Sequence, residues 1–228
     1  MTPLDLDFHT FSIVARCPRS GDFGVAVATA RPAVGAVVPW VSARGAIATQ
    51  AKSNTELGQR TLALLDADIP VGIALAGLLA ADPERDRRQV HGVDGLGVFA
   101  HTGKDCVPWC GDQPAADFSI AGNMLAGPAV LDAMTAAFVE SGALELPERL
   151  VRALEAGQVA GGDKRGKQSA ALLIASADPR PYHNLRVDDH ADPVAELRRL
   201  HDLTVPHTQT LLEQYGPEGL RRYRRPKS

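Results

Sequence analysis

The sequence predicts an α+β fold of antiparallel sheets with helices packed on their outer faces. Three observations predict it. Short stretches of alternating or continuously apolar residues are joined by tight turns, as antiparallel strands are. Helical periods come in groups between those stretches, so the order is strands, helices, strands, helices, then both again; a parallel sheet would instead alternate strand and helix one by one. No G-x-G-x-x-G follows a strand and no P-loop occurs, which weakens any nucleotide-cradling reading.

The elements follow in order. In TFSIVAR, residues 10–16, apolar Phe11, Ile13 and Ala15 alternate with their neighbours, the pattern of a strand with one buried face. PRSGD (18–22) is a turn, because proline fixes φ and glycine accepts positive φ. Residues 24–30 return as the second strand of a hairpin. AVGAVVPWV and GAIATQA read as two further strands. At 55–66 the period changes: Leu57, Thr61, Leu62, Leu64 and Leu65 share one helix face, with Asn54 as N-cap. A second helix spans 71–81. QVHGVDGLGVFAHTG (89–103) is a hairpin turning at Asp94-Gly95. A short strand at 118–120 leads into the loop GNMLAG, and Pro128 opens a helix over 128–140. A helix over 147–155, the loop AGGDKRGKQ, and the apolar strand 169–176 follow, the last reading as covered on both faces. Strand 183–189, a helix over 192–203 opened by Asp192-Pro193, and a last helix over 208–215 ending at Gly216 complete the chain.

Composition narrows the function classes. The 228 residues suffice for one large domain or two small ones with a substantial core. A net charge of −3 gives no global basic field for nucleic acid, and 5 % aromatic residues leave few platforms for stacking bases. The basic end RRYRRPKS reads as a solvated terminus. No run is long enough for a transmembrane helix and no signal peptide is visible, so neither nucleic acid nor membrane is an expected partner. Three cysteines, Cys17, Cys106 and Cys110, make no disulfide framework, which argues for the cytoplasm. The C-x3-C spacing of Cys106 and Cys110 falls short of the four ligands of a zinc site and reads as two thiols in a loop. No metal and no cofactor are expected.

No G-x-S-x-G elbow and no H-E-x-x-H is present. What remains is Thr10, which opens a strand although nine residues precede it. A threonine hydroxyl is a weak nucleophile and needs a base. As the first residue of a mature chain, Thr10 carries its own: a free α-amine with a reference pKa of about 7.7–8.0. While the His9–Thr10 peptide bond exists, that nitrogen is an amide and cannot act.

HTFSIVARCPRSGDFGVAVATARPAVGAVVPW, GAIATQAKSN, HTGKDCVPW, SIAGNMLAGPAVLDAM, GGDKRGKQSAALLI and RVDDHADPVAELRRL resemble the successive blocks of one bacterial and archaeal family. It is the domain-of-unknown-function family one-zero-two-eight, placed in the N-terminal-nucleophile (Ntn) hydrolase superfamily. The resemblance covers nearly all of residues 10–203. It implies a four-layer αββα sandwich, two antiparallel sheets between helices. It also implies cleavage of an amide bond through an acyl-enzyme on the N-terminal residue, although the family's activity is not established. Members often begin Met-Thr-(aromatic)-Ser-Ile-Val-Ala, and Thr10 matches that threonine. Residues 1–9 are the departure: a misassigned start, a propeptide removed by Thr10 attacking the preceding carbonyl, or a retained segment over an idle site. The chain then divides into this extension (1–9), the Ntn-like domain (10–205), and a C-terminal helix with the basic tail (206–228).

The expected supporting residues each carry a bland reading as well. In GNMLAG, backbone N–H groups or the Asn123 amide would form an oxyanion hole; alternatively Gly122 and Gly127 only permit a turn. Asp163, Arg165 and Gln168 would fix the substrate or orient the α-amine, or be solvated loop charges. Ser169 would relay a proton. His101 and Thr102 would line a pocket wall, although a lone histidine there is more often structural. Arg31 or, less safely, Lys52 would hold a substrate carboxylate or lower the α-amine pKa. Asp189 and His190 would bind a ligand or cap the next helix. The expected function is hydrolysis of an amide in a small or peptide-like substrate, by a homodimer or larger homo-oligomer. The alternative is a non-catalytic ligand- or partner-binding protein that keeps its extension.

Overall fold

The computed structural model describes residues 7–176 and 184–221, the last five as backbone only. Residues 1–6 and most of the basic tail (222–228) lie outside them. A two-residue strand β1 (Asp7–Phe8) precedes β2 (Thr10–Arg16), which turns back as β3 (Phe23–Thr29) in full antiparallel register, Thr10 opposite Thr29. Then come β4 (Pro39–Ser42), β5 (Gly45–Lys52), helices α1 (Thr55–Asp66) and α2 (Val71–Ala80), and the hairpin β6 (Arg88–Asp94) and β7 (Val98–Thr102). Strands β8 (Gly111–Pro114) and β9 (Phe118–Gly122) lead to α3 (Ala129–Glu140) and α4 (Leu146–Val159). Strands β10 (Ser169–Ala175) and β11 (Asn184–Val187) precede α5 (Pro193–Arg221).

Every pairing is antiparallel. One sheet runs β11-β10-β3-β2-β9-β8; in the other β5, β6 and β7 are neighbours, with β1 and β4 both on β5. Alternation along the strands sorts their side chains into three cores. Phe11, Ile13, Ala26 and Ile120 of the six-stranded sheet meet Met134, Phe138, Leu150 and Leu154 of α3 and α4. Val14, Val25 and Val27 meet Ala46, Ala48 and Val93 of the other sheet. Ile47 and Val90 on that sheet's far face meet Leu57 and Leu65 of α1 and Leu75 of α2. Among the described residues the fold is thus mixed α+β, two antiparallel sheets and five α-helices.

Local chemistry explains the boundaries. Asn54 caps α1, its Oδ1 accepting from Glu56 N at 3.1 Å. Asp94 shapes the β6–β7 turn through Leu96 N and Gly97 N and also accepts from Val71 N at the start of α2. Two expectations need correction, and one strand was not expected. AVGAVVPWV begins with a 3-10 turn, Val34–Ala36, entered through Ala33 at φ 56, and becomes strand only at Pro39, which lacks an N–H and suits a strand start. Strand β8, GDQP, carries no apolar alternation and forms by backbone pairing with β9. The two expected C-terminal helices, 192–203 and 208–215, run on without a gap as α5, which Gly216 (φ 62) interrupts where the last helix was expected to end. No helix among the described residues is long and apolar enough to cross a membrane.

Gly58 in α1 offers a test of the outer packing. A Cβ there would lie 2.2 Å from Trp40 of β4. Glycine to alanine in a helix normally gains up to about 1 kcal/mol. Here the overlap reverses the sign, and Gly58→Ala is expected to lose about 1–3 kcal/mol in urea unfolding.

Candidate functional site

The space between the two sheets is apolar at one end and polar at the other. Thr10 and Ser12 share the strand face of Val14, Thr29 that of Val27, Gln50 that of Ala48, and Gln89 and His91 that of Val93. All six polar side chains are essentially excluded from solvent. Buried polar groups must find partners, and Ser12, Gln50, Gln89 and His91 find them in one connected network.

The polarity of this network is fixed by two backbone carbonyls. Gln89 Nε2 lies 3.1 Å from Gly111 O and 2.9 Å from Gly122 O, which accept only, so the amide nitrogen must face them. Gln89 Oε1 therefore accepts, from Gln50 Nε2 and from Asn123 Nδ2, each at 2.8 Å. This leaves Gln50 Oε1 to accept from Ser12 Oγ at 2.7 Å, and Asn123 Oδ1 to accept from His9 Nδ1 at 2.6 Å. His9 thus carries a proton on Nδ1. Ser12, its proton spent, accepts from His91 Nε2 at 2.8 Å.

The peptide bond ahead of Thr10 sits at the end of this chain of bonds. The His9 carbonyl accepts from Thr29 Oγ1 at 2.6 Å and from Arg165 Nη2 at 2.9 Å. Arg165 is held in turn by the fully buried Asp163 carboxylate, at 2.6 Å. Asp163 also accepts from Ala30 N and Arg165 N. Thr10 Oγ1 is buried with no hydrogen-bond partner among the described residues. Buried hydroxyls are rarely left so, and a reacting or waiting group is one reason.

Two loops deliver these residues. Leu125 and Asp163 form an isolated β-bridge, Ala126 N donates to Gly162 O, and Lys164 N donates to Met124 O. Met124 adopts φ 57, and Asn123 N donates to Thr10 O at 2.9 Å. The Asn123 and Asp163–Arg165 loops are thereby fixed to each other and to the start of β2.

Residues 10–197 match the model of a family described as being of unknown function, DUF1028. That match takes in most of the chain. The chain belongs to this family. Among solved structures it is similar to protein SPO2555 from Silicibacter pomeroyi, also of the family. The two are 35 % identical, the TM-score is 0.79, and the likeness covers 86 % of this chain and 89 % of that one. No curated protein matches.

For this member of the family, the structure brings together Thr10, Asn123, Asp163 and Arg165 of the residues singled out in the sequence. Asn123 Nδ2 donates to Gln89 and the backbone N–H to Thr10 O, so the end of the side chain that meets His9 is the acceptor Oδ1. Ser169 Oγ donates to Arg31 O at 2.5 Å and accepts from Val34 N, which ties down a loop and engages neither Thr10 nor His9. Arg31 is exposed. Gln168 and Asp189 bond each other at the surface. His101 lies on the face of β7 shared with Phe99, toward α2, and bonds Arg85 O. Its neighbour Thr102 faces the site instead, accepting from Gln89 and donating to Asp112. Lys52 pairs with Glu84. The His190 ring accepts from Asp192 N at the approach to α5.

His9, Ser12, Thr29, Gln50, Gln89 and His91 were not read as site residues from sequence. Except for His9, which lies between β1 and β2, their signal was polar residues continuing the apolar alternation of strands, visible only once the strands are paired. Elsewhere, Glu148, His201 and Asp202 cluster closely enough to suggest a cation, but the Arg198 guanidinium already bonds Glu148 and Asp202. Cys106 is buried, and burial pushes its thiol up to about 12, so it is inert at neutral pH.

Burial holds the His91 imidazole down at about 3. Its unfolded value is about 6.5. Between those values the unfolded chain binds a proton that the folded chain refuses, so stability falls as pH falls. Lowering pH from 7 to 5 should cost about 2 kcal/mol through this group alone. Urea unfolding at both pH values reads it, and His91→Gln should remove that share of the slope.

Proposed function

We propose that the chain is an Ntn-type amidohydrolase in which Thr10 is the nucleophile, exposed by cleavage of the His9–Thr10 bond. The observation that carries this reading is the His9 carbonyl clasped by Thr29 Oγ1 and Arg165 Nη2, directly ahead of a buried threonine hydroxyl with no partner among the described residues. Two donors on a carbonyl oxygen, one of them charged, stabilise the negative charge that forms there when the carbon is attacked. The order of the three cores, helices on sheet, sheet on sheet, sheet on helices, supports reading the fold as the αββα sandwich of that superfamily.

The chemistry balances as follows. Thr10 Oγ1 adds to the His9 carbonyl carbon through a five-membered ring. The C–N bond breaks, the nitrogen takes the hydroxyl proton, and an ester remains. Water hydrolyses the ester, which frees residues 1–9 with a C-terminal carboxylate and leaves Thr10 with an α-amine. That amine is the base for the next substrate: it takes the hydroxyl proton as Oγ1 attacks an amide, passes it to the leaving amine, and water clears the acyl group. Thr29 and Arg165, vacated by His9, would hold the substrate's acyl oxygen. No cofactor is needed. Three free cysteines support a cytoplasmic setting, and a homo-oligomer is our expectation by analogy with other Ntn proteins.

A second reading, a binding protein that keeps its extension, is favoured by the pairing of β1 with β5 and the burial of His9. The test is hydrolysis of small amides and dipeptides by the chain starting at Thr10. Thr10→Ala should abolish hydrolysis and leave the fold intact; equal activity in that variant overturns the reading.

A further inference from the structure

The segment ahead of Thr10 is held as a peptide is held in a recognition groove. Asp7 and Phe8 add to β5 as an antiparallel strand, opposite Lys52 and Ala51. Adding a strand to a sheet edge is a common way of binding an extended peptide through its backbone. The Phe8 ring packs against the core between the sheets. The His9 carbonyl has its two donors, and the His9 imidazole its acceptor on Asn123. Backbone, two side chains and the carbonyl are each accounted for.

We infer that this groove is the acyl-side subsite of the enzyme, and that it takes a peptidyl amide whose acyl residue has a hydrogen-bond donor in its side chain, preceded by an aromatic residue. The inference rests on the amidohydrolase reading and deepens it. Its decisive element is Asn123. An amide side chain can ordinarily turn either end toward a ligand, but this one cannot. Gly111 O and Gly122 O fix Gln89, and Gln89 Oε1 fixes Asn123 Nδ2, so only Oδ1 faces the pocket. An imidazole N–H or a side-chain amide N–H satisfies it. A carboxylate would set oxygen against oxygen in a buried place, and an alanine would leave Oδ1 without a partner. The phenyl ring at the preceding position fills apolar space, and the residue before it contributes backbone pairing.

The cores are built without most of the segment. Of the described residues ahead of Thr10, only the partly buried Phe8 packs against one of the three cores, and the family match begins at residue 10. The chain starting at Thr10, released from a fusion by a protease that leaves nothing behind, is therefore the protein to use. Its unfolding transition confirms that it is folded. Binding of acetyl-Leu-Asp-Phe-His-amide is measured by calorimetry beside the same peptide ending in Gln, Ala or Glu. Hydrolysis is measured on the four matching aminomethylcoumarin amides. The inference expects the His and Gln peptides to bind at least about 10-fold more tightly than the Ala and Glu peptides. The same order in binding without any hydrolysis upholds the groove and overturns the hydrolase reading. Hydrolysis with no preference among the four overturns the groove and leaves the hydrolase reading standing. Neither binding nor hydrolysis overturns both.

Discussion

In a Thr29→Val variant the proposed cleavage of the His9–Thr10 bond is expected to run about 10²-fold more slowly than in the unaltered chain. Valine nearly matches threonine in shape, so the substitution deletes one donor to the His9 carbonyl and little else. Arg165 Nη2 still bonds that oxygen, so no buried acceptor is orphaned and the unfolding midpoint stays close to that of the parent. A time course of intact mass after synthesis reads the rate. Arg165→Ala is the blunter instrument, because it also strands the buried Asp163 carboxylate without its cation. An unchanged rate in Thr29→Val would mean that the carbonyl clasp only fixes the backbone.

Gln89→Leu is expected to destabilise the fold by about 3–5 kcal/mol. The Gln89 amide engages five partners: its two Nε2 hydrogens are shared among Thr102 Oγ1, Gly111 O and Gly122 O, and Oε1 accepts twice. A leucine removes all of these bonds and leaves Gln50 Nε2, Asn123 Nδ2 and two glycine carbonyls to be desolvated without return. Arg44→Ala, which breaks an exposed ion pair with Asp68, should change stability by no more than about 0.5 kcal/mol. Urea midpoints of the two variants make the comparison. A small loss in Gln89→Leu would show that water enters the polar end between the sheets and replaces the lost partners.

The elements with strong local chemistry were legible in the sequence. The alternation of Phe11, Ile13 and Ala15, the Asn54 cap and the Asp94-Gly95 turn all act within a few residues, and each element stands where expected. Strand β8 was not legible, because its pairing is made by backbone that a sequence does not display. Thr10 drew notice in the sequence through the chemistry of a terminal threonine and through resemblance. Its surroundings were only partly so. Asn123, Asp163 and Arg165 stand in loops rich in glycine, where polar residues draw notice. Gln50 and Gln89 are hidden inside strands, and only the register of β5 with β6, Gln50 opposite Gln89, brings them face to face. His101 was one residue away from Thr102, and in a strand one residue is the difference between the helix side and the site side.

The central claim is that Thr10 becomes the first residue of the working protein. The intact mass and N-terminal sequence of chain purified without a tag at that end test it most directly. The account predicts a chain that starts at Thr10, together with a released peptide ending in the His9 carboxylate. A chain that still carries His9 joined to Thr10 would leave the hydroxyl without its base and would contradict it.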